Sequence, residues 1–454
     1  MNTTIAAIAT PLFPGGLGVI RISGPEARAV ADRVFIPASG PSLTEKPGYT
    51  AAYGRVFDDG DLLDEAVALV FAAPGSYTGE DVVEFSCHGG VYILRRVLAA
   101  CLKNGAHPAD PGEFTKRAFL NGKKDLTVAE AVMDLITAEN EGALRAALTV
   151  HSGRLFDEIT AVRDVLLAAQ AVFSAWIDFP DDEIPELTAE DFDQRLAGAQ
   201  KALDHLIADY DNGRMLREGV SAVLCGRPNT GKSTLMNRLS GVARSIVSDT
   251  AGTTRDVVTQ RVSLAGIPFN LADTAGLRET ADGVERLGVD SARREMETAD
   301  LLLVVFDGSE PLTVEETAFI ETLPFDRTIA VINKADLPQK ISREFLNQRF
   351  SAATVLSASE GTGMDELLSE MERFARERLP SASQVTVANE RQRAAVNEAL
   401  SGIREARAAL AEGISLDAVS VCIDGAAAPL LELTGERVTD AVVDQIFSRF
   451  CVGK

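Results

Sequence analysis

The stretch Gly226-Arg227-Pro228-Asn229-Thr230-Gly231-Lys232-Ser233 restricts what this chain can fold into more than any other. It fits the pattern G-x-x-x-x-G-K-[ST]. The residues before it, Ser221–Cys225, form an apolar run that reads as a buried strand, and those after it, Thr234–Leu239, have helical spacing. Strand, glycine loop and helix in that order make a phosphate cradle. Backbone N–H groups of the loop point at anionic oxygens, and the helix N-terminus adds its partial positive charge. Lys232 is placed to meet the β- and γ-phosphates and Ser233 to hold Mg²⁺, with Asn229, Thr230, Gly231 and Thr234 around the same nucleotide. A chance match in a turn would lack this flanking strand and helix.

Three further stretches support this reading, and two of them point to guanine as the base. Asp273-Thr274-Ala275-Gly276 follows a second apolar strand, Pro268–Ala272. An Asp there can hold Mg²⁺ through water, and the Gly N–H can face a γ-phosphate. Asn333-Lys334-Ala335-Asp336 follows a third strand, Thr328–Ile332. Asp336 can accept hydrogen bonds from N1–H and the 2-amino group of guanine. Adenine lacks that donor pair and would leave the carboxylate unpaired. Ser357-Ala358-Ser359 follows the strand-like Ala353–Leu356, and its backbone can reach the guanine O6. Each short motif alone is weak; their order and spacing together specify a GTP-binding domain.

The chain has 454 residues, enough for two to four domains. No apolar run is long enough to span a membrane, so no membrane partner is expected. The first residues lack a basic region followed by a long apolar core, so no signal peptide is expected. Five scattered cysteines without metal-ligand spacing suit reduced thiols and a cytoplasmic location. The formal charge of −23 argues against a protein that coats nucleic acid electrostatically, so any RNA contact must be local or shared with a more basic partner.

Residues 1–120 read as mixed α and β, with strands at Leu17–Ser23, Tyr49–Phe57, Ala66–Phe71 and Asp81–Ser86 and helices at Glu26–Val34 and Gly90–Lys103. His88, beside Gly89 and Gly90, could be a ligand or a base, but reads first as a turn or packing residue. Residues 121–212 are helical, with Leu126–Leu148, Leu155–Ile177 and Asp191–Tyr210 as predicted helices. The acidic cluster Asp178, Asp181, Asp182 and Glu183 reads as a solvated loop. Residues 216–378 alternate β and α, the pattern of a parallel sheet covered on both faces. Helical periodicity returns in 380–454, at Asn389–Ala411, Ser415–Leu433 and Val438–Phe450. The expected architecture is therefore an N-terminal α+β domain and a discontinuous helical domain into which a Ras-like P-loop GTPase domain is inserted.

Ras-like proteins orient the attacking water with a glutamine after the DxxG glycine. Here that position is Leu277, which cannot hydrogen-bond water; Arg278, Glu279, Asp282, Glu285 and Arg286 are polar candidates nearby. Ser248-Asp249-Thr250-Ala251-Gly252-Thr253-Thr254 is rich in hydroxyls and suits a loop that closes over the γ-phosphate, with Thr254 as the second Mg²⁺ hydroxyl.

Taken with these stretches, the motifs Gly252–Asp256, Asp273–Arg278 with Val284-Glu285-Arg286, Val19–Gly24, Thr78–Asp81, His88–Gly90, Pro111–Phe114 and Phe450–Lys454 resemble the tRNA-modification GTPase family called MnmE or TrmE, from end to end. The resemblance implies a homodimer that works with an FAD-dependent partner of MnmG or GidA type, in a heterotetramer or larger. Together they would add an aminomethyl or carboxymethylaminomethyl group to C5 of the wobble uridine of certain tRNAs. The one-carbon unit would come from 5-formyl- or methylene-tetrahydrofolate, with Arg21, Glu84, Lys123 and Lys454 as the folate-contacting positions. Cationic Arg21 and Lys123 suit the glutamate tail, and Glu84 suits donors on the pterin. The resemblance also places Glu285 as the residue that positions water. It implies a K⁺ ion held by Asn229, Ser248, Thr250 and Thr253; from the residues alone, that ion is an option beside Arg255 or Arg278 as the source of charge. Cys451 reads equally as a reactive residue and as a small packed one. The competing reading is a GTPase switch in ribosome assembly, whose members lack these N- and C-terminal motifs.

Overall fold

The structure is a computed structural model, and it describes residues 3–138, 140–178, 189–208, 210, 214–215, 218–242, 259–273, 294–378 and 387–454. Contacts divide the chain into two compact units. One comprises Met1–Ile136, Val150–Asp204 and Glu390–Lys454, the other Thr137–Thr149 and His205–Asn389.

The first unit opens with strands β1 (Ile5–Ile8) and β2 (Leu17–Ser23), helix α1 (Ala27–Val34), and strands β3 (Phe35–Pro37), β4 (Thr50–Asp58), β5 (Asp61–Phe71) and β6 (Val82–His88). Helix α2 (Val91–Lys103), strand β7 (His107–Pro108) and helix α3 (Glu113–Leu120) follow. The seven strands form one sheet in the order β3-β4-β5-β6-β2-β1-β7. Period-two alternation in β2 turns Ile20 and Ile22 inward, where they join Val30, Val34, Phe85, Leu94 and Val97 in the core, and leaves Arg21 on the other face. Strand β1 and helix α3 are absent from the sequence reading. A strand of four residues is too short to show a period, and α3 buries a charged residue, Arg117, where periodicity looks for an apolar one.

Helices α4 (Leu126–Thr137), α5 (Glu141–His151), α6 (Arg154–Asp178) and α7 (Ala189–Ala208) come next. The single helix expected over Leu126–Leu148 is in fact two. Asn140 restarts it, its Oδ1 accepting the Ala143 N–H at 2.8 Å, because asparagine stabilises a helix start more than a helix interior. After the second unit in sequence come α12 (Glu390–Ala411), α13 (Leu416–Thr434) and α14 (Asp440–Phe447). They pair with the earlier helices: Arg391 with Glu130 at 2.9 Å, Arg407 with Asp193 at 2.7 Å, and Gln170 with Asp424 at 3.0 Å. The helical domain is therefore built from both flanks of an insertion.

The inserted unit holds β8 (Val220–Cys225), α8 (Lys232–Val242), β9 (Thr259–Leu264), β10 (Ile267–Asp273), β11 (Leu301–Asp307), α9 (Val314–Ile320), β12 (Thr328–Asn333), α10 (Arg343–Asn347), β13 (Ala352–Val355) and α11 (Met364–Arg378). Its sheet runs β13-β12-β11-β8-β10-β9, parallel except for β9. Alternate residues of β11 enter different cores: Leu301, Leu303 and Val305 one, Leu302, Val304 and Phe306 the other. A strand buried on both faces explains the continuous apolar run in its sequence.

Candidate functional site

The glycine loop leaves the end of β8 and enters α8, where parallel α/β sheets place ligands outside the carboxyl ends of their strands. Three backbone positions in it have φ > 0: Gly226 at 138°, Asn229 at 64° and Gly231 at 95°. At Gly231 a Cβ would also lie 2.2 Å from Asn333 Nδ2, so only glycine lets the two segments meet. Lys232 is buried, and its Nζ donates to the carbonyls of Gly226 at 3.0 Å and Arg227 at 2.7 Å. The ammonium thus lies within the loop whose N–H groups would hold phosphate. Thr230 is buried and braces the loop through Oγ1 to Arg227 O at 3.0 Å, whereas Ser233 and Thr234 are exposed in the first turn of α8.

Ser233 Oγ donates to Asp273 Oδ2 at 3.2 Å, which joins the glycine loop to the end of β10. A hydroxyl and a carboxylate converging there form an oxygen donor set of the kind a hard divalent cation takes, so these residues fit Mg²⁺.

Asn333 joins the phosphate and base ends of the site. Its Nδ2 donates to Thr230 O at 2.8 Å, and its Oδ1 accepts from Ala358 N at 2.9 Å. Asp336 is exposed; its Oδ1 accepts from Ser357 Oγ at 2.5 Å, leaving its other oxygen free of that contact. Ser357 Oγ also lies 3.0 Å from Ser359 Oγ. Arg238, on α8, donates to Ala358 O at 3.2 Å and to Ser359 O, pinning this loop from below. In the sequence the only signal for Arg238 is its place in the helix after the glycine loop. Lys334, at φ 63°, forms an ion pair with Asp307, and Ala335 N donates to Leu356 O at 3.0 Å. Burial opposes charge on Asp307, but hydrogen bonds from Lys334 and Ser309 outweigh it and hold its carboxyl below the usual range. Cys225, beneath the loop, is pushed up to about 12 by burial and is an inert core thiol.

Ser248, Asp249, Thr250, Ala251, Gly252, Thr253, Thr254, Thr274, Ala275, Gly276 and Glu285 lie outside the described residues, as do Asp181, Asp182 and Glu183.

In the first unit Arg21 and Glu84 are register partners on β2 and β6, and Arg21 Nε donates to Glu84 Oε1 at 2.7 Å. These two residues, expected to meet the glutamate tail and the pterin of one ligand, stand side by side on neighbouring strands. Arg21 Nη1 also donates to Gly453 O at 3.0 Å, and its guanidinium lies 5.5 Å from the Phe114 ring and 5.9 Å from that of Tyr77. Phe114 N donates to Lys454 O at 3.1 Å, and Lys123 Nζ donates to Pro74 O at 3.0 Å. Arg21, Glu84 and the last two residues therefore form one cluster; Lys123 lies on the loop beside Gly79, where a Cβ would be 3.3 Å from its Cγ. A guanidinium–carboxylate pair beside aromatic rings suits a flat ligand that carries both hydrogen-bond donors and acceptors.

Two sequence readings change. Cys451 is exposed, so it is not a packed residue. His88 is neither buried nor a turn spacer: it is 66% exposed at the end of β6, with Nδ1 2.6 Å from Asp64 Oδ1, and that hydrogen bond raises its pKa. All five cysteines are free, and no described helix is long and apolar enough to cross a membrane.

Sheet order, glycine loop and base loop together define a P-loop GTPase. Residues 4–123 match the family described as GTP-binding protein TrmE N-terminus, and residues 126–451 that described as MnmE helical domain. The tRNA modification GTPase MnmE of Symbiobacterium thermophilum is 44% identical over 99% of this chain and 99% of its own length. That of Carboxydothermus hydrogenoformans is 40% identical over 100% of both chains. The chain belongs to the MnmE family of tRNA modification GTPases.

Proposed function

We propose that this chain is a potassium-activated GTPase which, with an FAD-dependent partner of MnmG or GidA type, installs an aminomethyl or carboxymethylaminomethyl group at C5 of the wobble uridine of certain tRNAs. The one-carbon unit comes from a tetrahydrofolate. The chain acts as a homodimer in the cytoplasm, in a heterotetramer or larger assembly with its partner. The observation that carries this reading is the presence of two chemically distinct sites in one chain: a nucleotide site around Asn333 and an ion-paired, aromatic cluster around Arg21. A simple nucleotide switch has no use for the second.

In the nucleotide site Lys232 exchanges its loop carbonyls for phosphate oxygens, so its charge is already desolvated and aimed when GTP arrives. Asp336 accepts from the guanine edge while Ser357 holds it in place. Ser233 and Thr254 supply hydroxyls to Mg²⁺, which neutralises charge on the phosphates. Glu285 positions the attacking water in place of the missing glutamine. Asn229, Ser248, Thr250 and Thr253 offer oxygens to K⁺. In the other site the Arg21–Glu84 pair, Lys123 and Lys454 hold the folate. The acidic charge of the chain is compatible with an RNA reaction if the FAD-dependent protein carries most of the tRNA contact.

The test is mass-spectrometric analysis of tRNA wobble uridines from a strain lacking this chain. Loss of the C5 substituent, restored by the wild-type gene, is expected. Intact wobble modification with abnormal ribosomal subunits would replace this reading with the assembly switch.

A further inference from the structure

The loop between α3 and α4 carries two consecutive lysines that turn apart. Lys123 reaches Pro74 O, whereas Lys124 Nζ lies 3.3 Å from Nε2 of His151, the last residue of α5. The same ammonium is 5.7 Å from the centroid of the Tyr77 ring, on which the Arg21 guanidinium also rests. Tyr77 thus connects Lys124 and His151 to the cluster described above, and its hydroxyl is anchored 3.0 Å from Thr115 Oγ1.

Lys124 is half-buried, and among the described residues no carboxylate lies within ion-pair distance of it. Its neighbour Asp125 is already engaged: Oδ1 accepts from Val128 N at 2.9 Å and Thr127 Oγ1 at 2.5 Å, capping α4. Glu84, the acid of the adjoining cluster, is taken by Arg21. A partly desolvated ammonium with no carboxylate in direct contact is unfavourable. Burial lowers the Lys124 pKa, opposed in part by the charge of Asp125; burial, then the lysine's charge, lowers that of His151. The contact needs a neutral imidazole accepting at Nε2, which leaves Nδ1–H as a donor, and Lys124 keeps two N–H groups. Donors and positive charge are present with no carboxylate in ion-pair contact among the described residues, Asp125 acting only from a distance.

We propose that Lys124 and His151, against the Tyr77 ring, form a carboxylate subsite adjoining the Arg21–Glu84 pair. The identity of its ligand rests on the function proposed above, which supplies two sources: the glutamate tail of the folate, and the amino acid that gives the carboxymethylamino group. The tail is the favoured source, because Arg21 is tied to Glu84 and cannot serve the far end of the same molecule.

The test is titration calorimetry on the full chain with p-aminobenzoylglutamate, 5-formyltetrahydrofolate, a reduced pterin without the tail, and glycine. Lys124→Gln should lose about tenfold in affinity for both glutamate-bearing probes, while the tail-less pterin and GTP bind as in wild type. Lys124→Arg should restore most of the loss. A loss confined to glycine keeps the subsite and assigns it to the amino acid. Wild-type affinity of Lys124→Gln for every probe overturns the subsite. So does an equal loss for the tail-less pterin, since the lysine would then only shape the loop. If wild type binds p-aminobenzoylglutamate through Lys124 but not 5-formyltetrahydrofolate, the folate reading falls and the subsite stands.

Discussion

Replacing Asn333 should uncouple the two ends of the nucleotide site. Its side chain is buried, 3% exposed, and makes one hydrogen bond to Thr230 O and one from Ala358 N. Asn333→Ala removes both and strands a carbonyl and an N–H away from water. At about 1 kcal/mol net for each bond, the loss is about 2 kcal/mol. If the glycine loop and the base loop must be held together to bind nucleotide, that energy appears as about a 30-fold weaker GTP affinity. Asn333→Asp keeps the acceptor for Ala358 N but sets a carboxylate against Thr230 O, so it should be no better than alanine. Asn333→Ser is too short to reach both partners and should resemble alanine. The assay is equilibrium binding of a fluorescent GTP analogue, with urea unfolding of the same variants to separate affinity from global stability. A change of less than about threefold in affinity for Asn333→Ala, with stability intact, would refute the bridging role.

Asp336→Asn should lose GTP affinity and gain xanthosine triphosphate, whose C2 oxygen needs a donor; unchanged nucleotide preference in competition binding rejects the assignment. Glu285→Ala should bind GTP nearly normally while single-turnover hydrolysis falls by orders of magnitude, and intact hydrolysis would place the water-positioning group elsewhere. Hydrolysis should be faster in potassium than in sodium at equal ionic strength, and Asn229→Ala should abolish the difference. Equal rates in the two salts for wild type reject the cation, and loss of rate in Arg255→Ala alone would favour an arginine.

The outline of the GTPase domain was legible because its signals are local. An apolar run ended by a glycine loop and followed by helical spacing is set by neighbouring residues, and β8, the loop and α8 appear where the residues predict them. The same holds for β2, with the predicted bounds, and for helices on both flanks of the insertion, where periodicity is long and unbroken by proline. The family motifs at both ends were also readable, since they are short and contiguous.

Only the tertiary structure decided which of those residues act together. Asn333 meets Thr230 across 103 positions, and Arg21 meets Gly453 across 432. No periodicity carries such a pairing, because it depends on sheet order and on how strands stack in register. Strand pairing also joins Arg21 to Glu84 across 63 positions. The break before α5 was written locally in Asn140, yet an asparagine within a helical pattern can face solvent or cap a new helix. Lys124 shows the limit most clearly. In sequence it is one of two adjacent lysines beside an aspartate. It becomes a half-buried cation with no carboxylate in direct contact only once Asp125 Oδ1 caps α4 and His151 reaches its amine.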